Sequence, residues 1–187
     1  MKKFELTENY KMFSGHKLFQ IRALVSIKDV VEAGELGGYI EKEGNLSQFG
    51  KAWVSENAQV FGNARVRGNS RVTENARVSG NALVTGNSRV TENARVSGNA
   101  FVAGNSRVTE NAYVSGNAIV AGNSRVYGNA HVYGDAFVTE NSRVTGNARV
   151  YGNALVYENA LITGDSSVSG DAEVFGNAWV SWRVCIR

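Results

Sequence analysis

Side chains that titrate near neutrality or carry a thiol are few in this sequence. There are two histidines, His16 and His131, and one cysteine, Cys185. An imidazole titrates near neutrality and can act as a general base, but a lone histidine is more often incidental than catalytic. One cysteine excludes an internal disulfide framework and a cysteine-rich metal site. No glycine-rich phosphate loop joins a strand to a helix, and no set of residues has metal-ligand spacing. No catalytic, metal-ligating or cofactor-binding residue is therefore assigned, and no cofactor is expected. The arginines are different, because Arg71, Arg89, Arg107, Arg125 and Arg143 recur every 18 residues. Guanidinium groups in register can hold anions, or they can form a solvated ladder that keeps a surface soluble.

The elements that position these residues follow from a repeat. From Gly50 to Ser181 the chain divides into 22 consecutive hexads without an insertion. Each reads Gly/Glu, Asn/Asp, Ala/Ser, a variable residue, Val, and a second variable residue; Ile162 replaces Val once and Lys51 replaces Asn once. Ala-x-Val-x has the two-residue period of a short strand with Ala and Val on one face. Gly/Glu-Asn supplies the bend, since Gly and Asn tolerate the left-handed backbone region. So strict a repeat predicts a solenoid. Serine replaces alanine at Ser70, Ser88, Ser106, Ser124 and Ser142, and glutamate replaces glycine at Glu56, Glu74, Glu92 and Glu110, both with a period of 18. One coil is then three hexads, the cross-section is triangular, and the hexads make about seven coils.

Composition divides the chain at the same place. All seven lysines lie at or before Lys51, and twelve of the thirteen arginines lie from Arg65 onward. We expect an N-terminal β-rich cap over residues 1–49 and a β-helix over residues 50–187. In the cap, a strand near Phe4 to Phe13, a turn at Ser14-Gly15 and a strand over Lys17 to Ile27 are expected. A short helical turn over Lys28 to Glu35 should be broken at Gly37-Gly38. In Trp182-Arg183-Val184-Cys185-Ile186-Arg187, Val184 and Ile186 take the small-residue and valine slots. Trp182 and Cys185 should pack as a C-terminal plug, and Trp53 and Trp179 should make flanking or capping contacts.

The cap residues Val31-Glu-Ala-Gly-Glu-Leu-Gly-Gly-Tyr-Ile-Glu41, then Asn45-Leu-Ser-Gln48, Gly50 and Trp53, followed by the Gly-Asn-Ala-x-Val repeats, resemble the YdcK-like hexapeptide-repeat proteins of bacteria and phages. The resemblance covers essentially the whole chain. It implies an all-β fold, a left-handed parallel β-helix. It also brings two function labels: a transferase, by analogy with hexapeptide acyltransferases, and a polymer-forming protein. For an acetyl-CoA-dependent acyltransferase, His131 is the candidate base. Acyltransferases of that type usually have a loop interrupting the coils, and this repeat has none to wall off a pocket.

The three outward rows carry the rest of the functional reading. The first face has the arginine row Arg71 to Arg143. The second has Arg77, Arg95, Tyr113, His131 and Arg149, with Tyr133 and Tyr151 alongside, a composition found at recognition surfaces. The third places Leu83, Phe101, Ile119, Phe137 and Leu155 in one row, a patch of roughly 300–400 Å², the size that marks an interaction surface. The expected function is a non-catalytic scaffold or protein-binding module. It self-associates through the third face, with a dimer favoured over a trimer. It presents Arg71, Arg89, Arg107, Arg125, Arg143, Tyr113, His131, Tyr133, Arg149 and Tyr151 to a protein whose identity the sequence does not disclose. A net charge of +3 is too small to imply nucleic acid. Without a signal-like or membrane-length apolar run, a cytoplasmic location and no membrane contact are expected.

Overall fold

Two-residue strands, each the variable residue and the Val of one hexad, recur from Trp53–Val54 to Cys185–Ile186 in the computed structural model, which describes residues 2–187. They stack as three parallel ladders of 8, 8 and 7 strands that form the sides of a prism, and three cap strands extend one of them into an 11-stranded sheet. Pairing is at a spacing of 18 throughout the hexads, as in Arg89 with Arg107, Arg95 with Tyr113 and Phe101 with Ile119. The flanking residues join the ladders too. Arg67 N–H donates to Val84 O at 2.9 Å and Asn69 N–H to Gly86 O at 2.7 Å, so the corners are hydrogen-bonded between coils as well as the sides. This is the parallel β-solenoid that the hexad period predicts.

Every hexad buries its Val or Ile and, as far as Ala172, its Ala or Ser, and from Val54 to Val168 each fifth-position residue is fully inaccessible to solvent. The serines at the Ala position are equally buried. Ser70, Ser88, Ser106 and Ser142 each donate to the carbonyl three residues earlier at 2.7 Å, which satisfies a hydroxyl inside an apolar core.

The corners divide their labour differently from the expectation. The first hexad position alone takes positive φ, as at Gly104 (+71°) and Glu92 (+62°), and no asparagine does. The asparagines instead form side-chain amide ladders along the prism edges. Asn63 donates to Asn81, Asn81 to Asn99 and Asn99 to Asn117, at 2.9–3.2 Å. Asn117, Asn147 and Asn153 donate in turn to Asp135, Asp165 and Asp171 at 2.7–2.8 Å. A carboxylate accepts but cannot donate onward, so each aspartate ends a run of the ladder.

The solenoid has about eight turns, because residues before Gly50 add part of a coil to the seven that the hexads make. Strand β3 (Leu36–Ile40) pairs in parallel with Gln59–Val60, and Leu46 bridges to Val66. Ile40 to Val60 and Leu46 to Val66 are both spacings of 20, two more than the hexad coils. The longer first coil widens one corner near Gln48, whose Oε1 accepts from Lys3 N–H at 2.7 Å. Asn45, fully buried, donates to Gly62 O at 3.1 Å and Ala64 O at 2.8 Å and accepts from Lys42 N–H at 2.9 Å.

Strands β1 (Phe4–Phe13) and β2 (His16–Ala23) form an antiparallel hairpin whose second strand pairs with β3. The expected helical turn over Lys28 to Glu35 is not formed; an irregular turn bridging Ile27 and Val31 stands there. Gly37 and Gly38 are not a break. They lie inside β3, where an added Cβ would sit 2.6 Å from Val54 O and 2.8 Å from Ala58 O. Glycine lets the cap strand lie directly on the first coil. Trp53 is buried beneath Phe4, with ring centroids 6.5 Å apart.

The C-terminal end lacks the expected plug. Val184 and Ile186 keep their slots, but Trp182 takes a corner φ of +65° and is 84% exposed. Cys185 is exposed because its position alternates outward. Among the described residues no helix is long and apolar enough to cross a membrane.

Candidate binding surfaces

Each outward row is continuous in the structure. On the first face Arg71, Arg89, Arg107, Arg125 and Arg143 pair in register on successive coils. Arg71 donates through Nη2 to Asp29 O at 2.9 Å, tying the row's first member to the cap. The three ion pairs among the described residues are Lys2–Glu43, His16–Glu41 and Arg22–Glu5, so the corner glutamates Glu74, Glu92 and Glu110 do not bridge to these arginines.

The second face brings its sequence candidates together and adds residues that the sequence reading did not place. Tyr113 and His131 meet edge to face at 5.8 Å, and the Tyr113 hydroxyl lies 2.9 Å from Ser97 Oγ. Tyr133 and Tyr151 stack with ring centroids 4.9 Å apart and planes 1° from parallel. Arg149 pairs with His131 on the following coil. Toward the cap the hairpin tip comes down on this face. Phe13 packs edge-on to Phe61 at 5.6 Å, and His16 lies 4.9 Å from the Phe61 ring. His16 Nδ1 is 2.9 Å from Glu41 Oε1, while Glu41 Oε2 accepts from Gly62 N–H at 2.6 Å. Those bonds, the histidine's first, hold the Glu41 carboxyl below its ordinary pKa despite partial burial.

Between the tip and the face lies a cleft of about 490 Å³, walled by Phe13 and Phe61 and floored by Arg77, Arg95, Tyr113 and His131. The Arg77 guanidinium rests over the Phe13 ring at 4.5 Å, and its Nε is buried without a hydrogen-bond partner. Burial, and then the charge of Arg95 beside it, lower the Arg77 pKa. Lys11, over the Tyr39 ring at 3.7 Å, is depressed in the same way by burial and by Arg77. One signal for this cleft was in the sequence. Phe61 is aromatic where the next three coils have Ser79, Ser97 and Ser115, as a cap contact requires.

The third face carries Leu83, Phe101, Ile119, Phe137 and Leu155 in one ladder, with Arg65 before and Glu173 after them. Phe137 is 40% exposed and the other four are half-buried by one another. His131 is on a different face, exposed, on a coil without insertion.

Four stretches of the chain, residues 58–74, 76–92, 142–158 and 148–164, match the family model of the YdcK beta solenoid repeat. The chain is also similar to "Uncharacterized acetyltransferase YdcK" of Escherichia coli (strain K12), with 38% identity over 82 residues. That match takes in 39% of this chain and 25% of the relative, so the chain spans about a quarter of the length of the curated protein it matches. With these repeats stacked as parallel ladders, the chain is a parallel β-solenoid whose repeats are similar to those of YdcK.

Proposed function

We propose that this chain is a non-catalytic scaffold that pairs with a second copy of itself through the third face, leaving the arginine and tyrosine faces free for another protein. The observation that carries this reading is the order of the third-face row: Arg65, Leu83, Phe101, Ile119, Phe137, Leu155, Glu173. It reads nearly the same in both directions about Ile119, except that its ends carry opposite charges. A two-fold axis across the face, through Ile119, lays this row antiparallel on itself. Phe101 then meets Phe137, Leu83 meets Leu155, and Arg65 of each copy meets Glu173 of the other. Beside this row, Ala103 and Ala121 are small enough to let the sheets approach.

Charge selects this arrangement. Parallel prisms, whether a dimer or a trimer, set Arg65 near Arg65 and Glu173 near Glu173. The antiparallel dimer is isologous and closed. The apolar patch, roughly 600–800 Å² over two copies, falls short of the roughly 1,200 Å² of a stable interface, and the two terminal charge pairs and the alanine row extend it. Sedimentation of the charge variants tests the arrangement. Arg65→Glu should shift the assembly toward monomer, and Arg65→Glu with Glu173→Arg should restore it. Phe101→Asp with Phe137→Asp should give folded monomer. An assembly unchanged by these substitutions would refute self-association through this face.

The name of the E. coli relative favours a second reading, acetyl-CoA-dependent acyl transfer with His131 as base. In this chain His131 neighbours Tyr113 and Arg149 rather than a carboxylate that would orient it. Titration with acetyl-CoA separates the readings: saturable binding with turnover lost in His131→Ala would replace the scaffold by an enzyme. The protein engaged by the free faces would be found by mass spectrometry of material co-purifying with the tagged chain.

A further inference from the structure

We propose that the cleft between the hairpin tip and the second face binds a small molecule carrying a phosphate monoester on a flat ring. Arg77 and Arg95 lie opposite one another on adjacent coils, about 4.8 Å apart as neighbouring strands are. Neither takes part in an ion pair among the described residues. Two unneutralised guanidinium groups side by side repel, and burial of Arg77 sharpens that repulsion. A phosphate monoester carries −1.5 to −2 near neutrality and offers three acceptor oxygens, so one group answers both cations. A carboxylate answers only one. Arg77 is already oriented, its guanidinium carbon held over the Phe13 ring at 4.5 Å.

The same row continues with Tyr113 and His131, which face the cleft one and two coils further on. Tyr113 is steadied by the 2.9 Å contact with Ser97. A phosphate at the arginines therefore places whatever it is esterified to against two flat side chains. The cleft, about 490 Å³, lies within the roughly 300–1,000 Å³ usual for small organic ligands and exceeds what an inorganic ion fills. This site is on the second face and stands independently of pairing through the third.

Calorimetric titration of the full chain with phenyl phosphate, inorganic phosphate and benzoate tests the assignment. Phenyl phosphate should bind at least tenfold more tightly than either of the others. Arg95→Gln should weaken it tenfold or more without moving the melting temperature, because Arg95 is exposed. Tyr113→Ala should bring phenyl phosphate down to the affinity of inorganic phosphate. The assignment is overturned by the absence of saturable binding, by equal affinity for benzoate, or by an Arg95→Gln variant that binds as before. Repeating the titration on the Phe101→Asp, Phe137→Asp variant keeps this result separate from the oligomeric state.

Discussion

Lys3 is the most deeply buried lysine among the described residues, 4% exposed and donating to Ala52 O at 2.8 Å. Loss of hydration lowers its pKa from 10.5 to about 8. The folded chain thus releases this proton about two and a half pH units before the unfolded chain does. Between those values the unfolded state holds more protons, so raising pH through this window stabilises the fold. Relative to Lys3→Met, the wild type should gain on the order of 2–3 kcal/mol between pH 7.5 and 10.5, as read from denaturant midpoints of the two proteins. Parallel pH profiles would mean that the ammonium is hydrated after all. Nothing in the sequence marked Lys3 for this role. Its acceptor lies 49 residues away, and a single lysine beside a phenylalanine has no periodicity from which burial could be inferred. The asparagines failed to announce their role for a different reason. Their backbone tolerance and their amide chemistry both favour corners, and only the observed positive φ at the preceding glycine or glutamate separates the two.

At the scale of the coil, the first hexad position is the most constrained. At Gly104, with φ at +71°, an added Cβ would lie 2.6 Å from Gly122 O; at the hairpin tip, Gly15 has φ +83° and nothing within 4 Å. Gly104→Ala should therefore cost more than Gly15→Ala, about 2–3 kcal/mol against about 1, measured as loss of denaturant stability. The glutamate corners show how a side chain is fitted there. Asn75 N–H reaches Glu92 O at 2.9 Å, whereas Asn69 N–H reaches Gly86 O at 2.7 Å, so the corner opens slightly to admit a Cβ. Equal costs at Gly104 and Gly15 would show that the mid-prism corner opens as freely as a surface turn. The period of 18 was legible because it is written redundantly, in serines, glutamates and arginines that must stack on their own kind. The cap was legible only as two strands and a turn. Its remaining contacts are non-local and occur once each, and Gly37-Gly38, ordinarily a break, is here the condition for close packing of β3.

The whole molecule is an open stack, and its two ends differ. At the N-terminal end β1 is the edge of the 11-stranded sheet, and its register shifts between Leu6 and Tyr10 while Glu5, Glu8 and Lys11 charge it. A shifted, charged edge is a poor template for another strand. Phe4, fully buried, together with Lys3 holds this hairpin over Ala52 and Trp53. At the other end Trp182 and Trp179 are 84% and 71% exposed. In a stack of nearest-neighbour contacts, damage at one end spreads only as far as adjacent coils depend on it. Phe4→Asp should release the hairpin and bare the first coil while the central coils persist. Hydrogen exchange should then lose protection at Val54, Ser55 and Val60 and keep it at Val108 and Val126. Concentration-dependent association at the bared edge should follow, visible by light scattering. If protection disappeared along the entire prism instead, the cap would be the nucleus on which every coil depends, and a nearest-neighbour description of this solenoid would fail.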